Sequence, residues 1–336
     1  MSTPISTHHD LVADIGGTNA RFARVDADGR HGEPVRLAVA EYPSLAAALR
    51  AALERLPGPP IDRAALALAG PVTGDAVSLT NAGWSFSIAG LRSELGLARL
   101  LVLNDFTALA WALPLLDAEE LRPIGGSGTR KAPAPDAARA VIGPGTGIGM
   151  SGLLPTPAGG WAAIAGEGGH ASLAPADERE ADILEWTRRH HPHVSIERLV
   201  SGTGLPLLHA AVGVVDGYAV DGGDAGDDDA GITAAGITQR ALAGEAHAHA
   251  TLSTFCAMLG SAAGNLALTL GARGGVYVGG GIAPRIEAFL QASEFRARFE
   301  AKGRFSEYLG PIPTWLIDAR TPALRGAAHA LARSEG

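Results

Sequence analysis

The residues best placed to do chemistry lie where Asp14-Ile15-Gly16-Gly17-Thr18-Asn19 joins two apolar runs. Val12, Ala13 and Ile15 suit a buried strand, and Phe22 and Val25 suit a second, so the motif reads as a hairpin able to grip phosphate. Gly16 and Gly17 let the turn enter positive φ and remove the Cβ atoms that would keep a polyphosphate away from backbone N–H groups. Asp14 ends the first strand, where its carboxylate can hold a hydrated Mg2+ beside those phosphates. An ordinary glycine turn would use the same residues, because short glycine motifs match by chance. The stretch 140–150, AVIGPGTGIGM, partly repeats the pattern with Gly145, Thr146 and Gly147 at its turn. Two such turns could hold a triphosphate from two sides. Neither fits G-x-x-x-x-G-K-[ST], and no G-x-G-x-x-G follows the first strand, which excludes a P-loop and a dinucleotide fingerprint.

Other polar groups stand at the ends of apolar runs. Asn104-Asp105-Phe106 closes the run 99–103 just before a helical stretch at 107–116, which puts both side chains at the carboxyl edge of a sheet, where open α/β folds bind ligands. The same two residues would also serve as a helix N-cap. Gly166-Glu167-Gly168-Gly169-His170 is bent loop backbone presenting a carboxylate and an imidazole, and Glu197 precedes Ser201-Gly202-Thr203-Gly204, a turn that opens a helix. Gly279-Gly280-Gly281 follows a strand at 275–278 and admits a flat group such as a nucleobase or ribose. Trp84 either lines a ligand site or packs under its loop. His190-His191-Pro192-His193 lacks a Cys or acidic ligand at metal spacing and reads as a solvated helix end. The acidic stretch 221–229 lacks the EF-hand pattern and reads as a surface loop.

The elements that must position these groups alternate. Strands are expected at 35–40, 64–69, 99–103, 275–278 and 312–317 besides the two hairpins; helices are expected at 44–56, 107–116, 177–191, 237–244, 246–270 and 322–333. At 336 residues, with 46% hydrophobic and 18% charged content, the chain can build two ordinary domains with developed cores. A formal charge of −8 with no Lys/Arg run argues against a nucleic-acid partner. The single cysteine, Cys256, fits a reducing compartment, and the first ten residues lack signal-peptide features, so a cytoplasmic location is expected. Residues 251–272 carry no charge and reach membrane-span length, but Ser, Thr, Asn265 and glycines dilute them, so a buried helix and no membrane are expected.

In this order the motifs resemble those of the bacterial ATP-dependent glucokinases, within the actin-like superfamily of sugar kinases and heat-shock chaperone ATPases. The resemblance rests on 14–19, on Leu79-Thr80-Asn81 with Trp84, on 104–106, 143–149 and 166–170, on Glu197 with Ser201-Gly202, and on 279–282; it runs from residue 11 to about residue 318. A loop that looks lengthened around 131–136 and the acidic stretch 221–229 depart from it. The resemblance implies an α/β fold of the actin-like ATPase (ribonuclease H-like) type, with two domains around a central cleft: a small one over 1–115 completed by 317–336, and a large one over 116–316. It implies glucose and ATP as substrates, Mg2+ as cofactor, and a homodimer. Asn104, Asp105, Glu167, His170 and Glu197 would meet the sugar hydroxyls, with Asp105 as general base for attack by the 6-hydroxyl. Asp14, Gly16, Gly17, Thr18, Asn19, Gly145, Thr146, Gly147, Gly280 and Gly281 would hold the nucleotide. Related kinases with a structural zinc carry a Cys-rich segment that one cysteine cannot supply. Rival expectations are a kinase for another hexose or an N-acylhexosamine, and a sugar-sensing regulator, for which the ten residues before the first strand are too few to hold a DNA-binding helix-turn-helix. A chaperone-like ATPase would need a substrate-binding domain for which this length has no room.

Overall fold

A computed structural model describes residues 9–79, 82–125, 136–218 and 232–333. Thr80, Asn81, residues 131–135 and the acidic stretch 221–229 lie outside the described residues. In chain order the elements are β1 (Asp10–Ile15), β2 (Asn19–Val25), β3 (Val35–Ala38), α1 (Leu45–Arg55), β4 (Arg63–Leu68), β5 (Ala76–Leu79), β6 (Trp84–Ser87), α2 (Ile88–Glu94), β7 (Arg99–Asn104) and α3 (Asp105–Ala112). There follow β8 (Leu121–Pro123), β9 (Arg139–Pro144), β10 (Ile148–Pro155), β11 (Trp161–Ala165), α4 (Glu178–Arg188), α5 (Ile196–Leu199), α6 (Leu205–Asp216), α7 (Ala234–Leu242) and α8 (Ala246–Leu270). The last are β12 (Val276–Val278), α9 (Glu287–Ala292), α10 (Phe295–Glu300), α11 (Ser306–Leu309), β13 (Thr314–Ile317) and α12 (Pro322–Arg333). Two compact units form: the first takes residues up to Asp117, Trp161–Ala165 and the chain from Ala319, and the second takes Ala118–Gly160 and Gly166–Asp318.

The sheet of the first unit runs β3-β2-β1-β4-β7, with β1, β4 and β7 parallel. All six residues of β4 are buried, as a central parallel strand requires. α1 buries Leu45, Ala48, Leu49 and Ala52 at three- and four-residue spacing, and the Ser44 hydroxyl caps it by accepting from Ala47 N–H at 3.2 Å. α12 lays Leu324, Ala327, Ala328 and Leu331 over Val12, Ala23 and Ala65 and packs along α3.

Several expectations are corrected here. The strand expected at 35–40 stops at Ala38, because residues 39–41 turn as a 3-10 helix and Val39 N–H donates to the Thr18 carbonyl at 3.0 Å. The helix expected at 107–116 begins two residues earlier, at Asp105, and ends at Ala112, just before Leu113-Pro114. The helix expected at 177–191 is shorter, Glu178–Arg188, with Asp177 as its cap. The β5–β6 hairpin and α2 were not foreseen, although the alternation of buried and exposed residues through Ala76–Leu79 is a strand signal. Trp84 is 3% exposed and donates its indole N–H to the Tyr42 carbonyl at 3.0 Å, so it is a local packing residue.

Within the second unit the sheet order is β10-β9-β12-β13-β8, with β9, β12 and β13 parallel. The core beneath it centres on α8. Among the described residues α8 is the one helix long and apolar enough to cross a membrane, yet 78% of its apolar window is buried in the unit, which makes it a core helix. Cys256 sits fully buried on it.

Candidate active site

The parallel strands of the first unit bring the first set of groups to one edge. Ile15 of β1 pairs with Leu68 of β4, and Leu68 with Asn104 of β7, so the three strands end level with one another. Asp14 and Asn104 therefore stand on strands two spacings apart, roughly 10 Å across the sheet. Asn104 is the cap of α3: its Oδ1 accepts from Phe106 N–H at 2.9 Å and Thr107 N–H at 3.2 Å, while its amide nitrogen donates to the Gly70 carbonyl at 3.2 Å. Capping thus falls to Asn104. Asp105 is the first helical residue, where a carboxylate gains from the helix dipole, and its Oδ1 accepts from Phe106 N–H at 2.9 Å.

Asp14 faces Arg21 across the β1–β2 hairpin, and the Arg21 guanidinium donates to Asp14 Oδ2 at 3.0 Å. Burial pushes the Asp14 carboxyl above its ordinary 3.8, and Arg21 offsets part of that rise. The turn closes with Gly16 N–H donating to the Asn19 carbonyl at 3.0 Å, and Asn19 Oδ1 accepts from Arg36 at 2.9 Å. Neither Gly16 nor Gly17 takes positive φ, so the turn closes without using the freedom that glycine allows. A Cβ at Gly16 would meet nothing closer than 3.5 Å, so the folded chain itself does not demand glycine there.

The second unit holds the other groups. Gly145, Thr146 and Gly147 form the turn between β9 and β10, with Gly145 N–H donating to the Gly147 carbonyl at 2.7 Å. Segment 201–204 clamps this turn: Gly202 N–H donates to the Gly145 carbonyl at 2.8 Å, and Thr203 donates to the Thr146 carbonyl through both N–H and hydroxyl at 3.1 Å. The loop after β12 lies against the same corner, with Gly279 N–H on the Ile142 carbonyl at 2.8 Å and Ile282 N–H on that of Pro144 at 3.1 Å. Gly280 there has φ +82, a conformation that favours glycine, and Gly281 stands beside it.

Glu197 Oε2 accepts from Ile148 N–H at 2.9 Å, and its Oε1 lies 3.9 Å from His170 Nδ1. His170 is 61% exposed, and at 3.9 Å the contact is weak. Glu167 precedes the 3-10 turn Gly168–His170 and is exposed, its carbonyl accepting from His170 N–H at 3.0 Å. His170, Glu197 and Arg198, with Trp186, His190 and His193, line a cavity of about 520 Å³. His190 rests on the Trp186 ring at 5.0 Å, and His193 Nε2 meets the Ser172 hydroxyl at 3.1 Å. No group of three His, Cys, Asp or Glu among the described residues can hold a metal by itself.

Sequence reasoning missed Arg21, and it read Ser201 and Thr203 only as part of a turn opening a helix, without their bonds to the 145–147 turn and its support. Arg21 was findable, because residues 14 and 21 are equidistant from the turn 16–19 and must pair across a tight hairpin. Thr203 meets Thr146 across 57 residues, and no local pattern signals it.

The glucokinase family profile matches residues 11–334. A glucokinase of Chromobacterium violaceum is 51% identical over 323 residues, covering 96% of this chain and 89% of that protein. A glucokinase of Ralstonia nicotianae is 46% identical over 332 residues, covering 97% and 96%. The crystal structure of a glucokinase from an Antarctic psychrotroph superposes with a TM-score of 0.85 at 39% identity, covering 97% of this chain and 99% of that one. The α/β architecture is thus that of the actin-like sugar kinases, and with this identity over nearly its whole length the chain belongs to the glucokinase family.

Proposed function

We propose that this protein transfers the γ-phosphoryl group of ATP to the 6-hydroxyl of glucose. The observation that carries the reading is the level edge of β1, β4 and β7, which holds Asp14 and the Asn104-Asp105 pair on one rigid sheet, in a chain half identical to a glucokinase. Asp105 accepts the proton of the attacking hydroxyl, its backbone fixed by the cap that Asn104 makes. Asn104, Glu167, His170 and Glu197 take the other sugar hydroxyls; a polyol needs several convergent acceptors and donors. The turns 16–19 and 145–147 offer N–H groups to the phosphates, and Gly280 and Gly281 leave room for the nucleoside. The free space at Gly16 supports this, since the vacant Cβ position serves a ligand better than it serves the chain.

Asp14 fits Mg2+ held through water, as one carboxylate beside substrate phosphates is a usual magnesium environment. When bound, Mg2+ supplies charge neutralisation along the phosphate oxygens. Arg21 holds Asp14 Oδ2 and so fixes the orientation of the carboxylate. Positioning and electrostatics carry most of the rate. A cytoplasmic homodimer belongs to the same reading, and sedimentation equilibrium tests the dimer.

The deciding experiment is ADP formation measured across glucose, mannose, fructose, N-acetylglucosamine and N-acetylmannosamine. Glucose should give the highest kcat/KM. Equal ADP release without sugar, or a clear preference for an N-acylated sugar, would overturn the assignment.

A further inference from the structure

We infer that Glu197 positions the phosphate turn as well as meeting the sugar, so that one carboxylate couples nucleotide affinity to glucose. The inference rests on the reading above, in which 145–147 holds phosphate and Glu197 touches sugar. Its own basis is how the two oxygens are used. Oε2 accepts from Ile148 N–H at 2.9 Å, at the point where the turn enters β10, while Oε1 stands 3.9 Å from the nearest His170 nitrogen and is beyond hydrogen-bond reach of it. Gly147 leaves the space that the carboxylate fills: a Cβ at 147 would collide with Oε2 and lie 3.0 Å from Cδ.

The rest of the segment makes the link stiff. The Glu197 carbonyl accepts from the Ser201 hydroxyl at 2.7 Å, and Ser201 Oγ accepts in turn from Gly204 N–H at 2.9 Å. Gly202 and Thr203 between them hold the Gly145 and Thr146 carbonyls. The turn is therefore gripped on its carbonyl side by backbone and threonine, and at Ile148 N–H by a side chain that is 30% exposed and reachable by a ligand. A sugar hydroxyl bound to Oε1 would fix the Glu197 rotamer, which removes part of the ordering cost of the turn before the nucleotide arrives. The same coupling must act in reverse, with nucleotide tightening glucose by an equal factor.

The test uses the full chain with a non-hydrolysable ATP analogue and Mg2+, and reads the analogue's Kd by calorimetry without glucose and with glucose above each variant's own Kd. In the unmodified protein glucose should tighten the analogue. Glu197→Ala should weaken sugar-free analogue binding by roughly three- to tenfold, the scale of one hydrogen bond to a half-solvated charged group, and should abolish the glucose effect. Glu197→Gln should keep sugar-free affinity, because its amide oxygen can still accept from Ile148 N–H, while losing the glucose effect. A residue that meets only sugar would leave sugar-free affinity unchanged in both variants, and that result overturns the inference. If Glu197→Ala lowers the melting temperature sharply, the Gln variant decides: a loss of its sugar-free affinity also overturns it. Failure of the unmodified chain to bind the analogue would instead overturn the phosphate-turn reading itself.

Discussion

Replacing Asp105 with Asn separates a proton acceptor from a structural carboxylate, because the structure has already assigned the cap of α3 to Asn104. In Asp105→Asn the side-chain oxygen can still accept from Phe106 N–H, the bond seen at 2.9 Å, and Asn104 keeps its own bonds to Phe106 and Thr107. Loss of the favourable position of a negative charge in the first helical turn costs about 0.3–1 kcal/mol. A missing general base, by contrast, costs about 10²–10⁴ in rate. The expected result is a melting temperature nearly unchanged, nucleotide-analogue binding retained, and kcat for glucose lower by at least about a hundredfold. Stopped-flow or coupled ADP assays measure the rate, and differential scanning calorimetry measures stability on the same preparation. Turnover above about a tenth of the original, far short of the loss that base removal produces, would refute the role and move the search to Glu167.

Gly326→Ala should destabilise the first unit, because a Cβ at 326 would overlap the Ala108 carbonyl oxygen and lie 2.9 Å from Ala112 N on α3; overpacking of this kind costs about 1–3 kcal/mol, read as a fall in urea midpoint. Cys256, its thiol pushed up to about 12 by burial, should resist Ellman's reagent in the folded protein and react at once in urea; fast native labelling would mean that α8 opens. His329 is held below its ordinary 6.5 mainly by burial, with the Trp111 carbonyl opposing and Arg333 adding to the shift. The unfolded chain therefore binds this proton first, and stability should be full above 6.5 and fall as pH drops below it; His329→Gln should flatten that part of the stability–pH curve.

What the sequence made legible was local. The stretch 14–19 reads as a hairpin because apolar runs flank small residues, and α8 and α12 have the expected bounds because the first is a long apolar run without Asp, Glu, Lys or Arg and the second is amphipathic. The exact start of α3 was not legible, since Asn104 and Asp105 are equally good cap residues and only the hydrogen bonds to Phe106 and Thr107 decide between them. The φ of Gly16 and Gly17 was not legible either: glycine permits left-handed backbone but does not impose it, and residues 16–19 close without it. The Glu197 bond to Ile148 spans 49 residues, and no spacing rule reaches that far.

The placement of α12 has a consequence for the birth of the molecule on the ribosome. The first unit needs both the segment up to Asp117 and the helix Pro322–Arg333, with some 200 residues of chain between them. At about 5–20 residues per second the nascent first unit waits roughly 10–40 s for its last helix. During that wait the face of β1, β2 and β4 that α12 will cover is bare, and its buried residues there are Val12, Ala23 and Ala65. Two of the three are alanines, but the part-buried Val25 and Leu101 pack against the same cluster, so the waiting face still offers aliphatic surface. α12 is what closes that surface, so the first unit is complete only once the helix Pro322–Arg333 has been made.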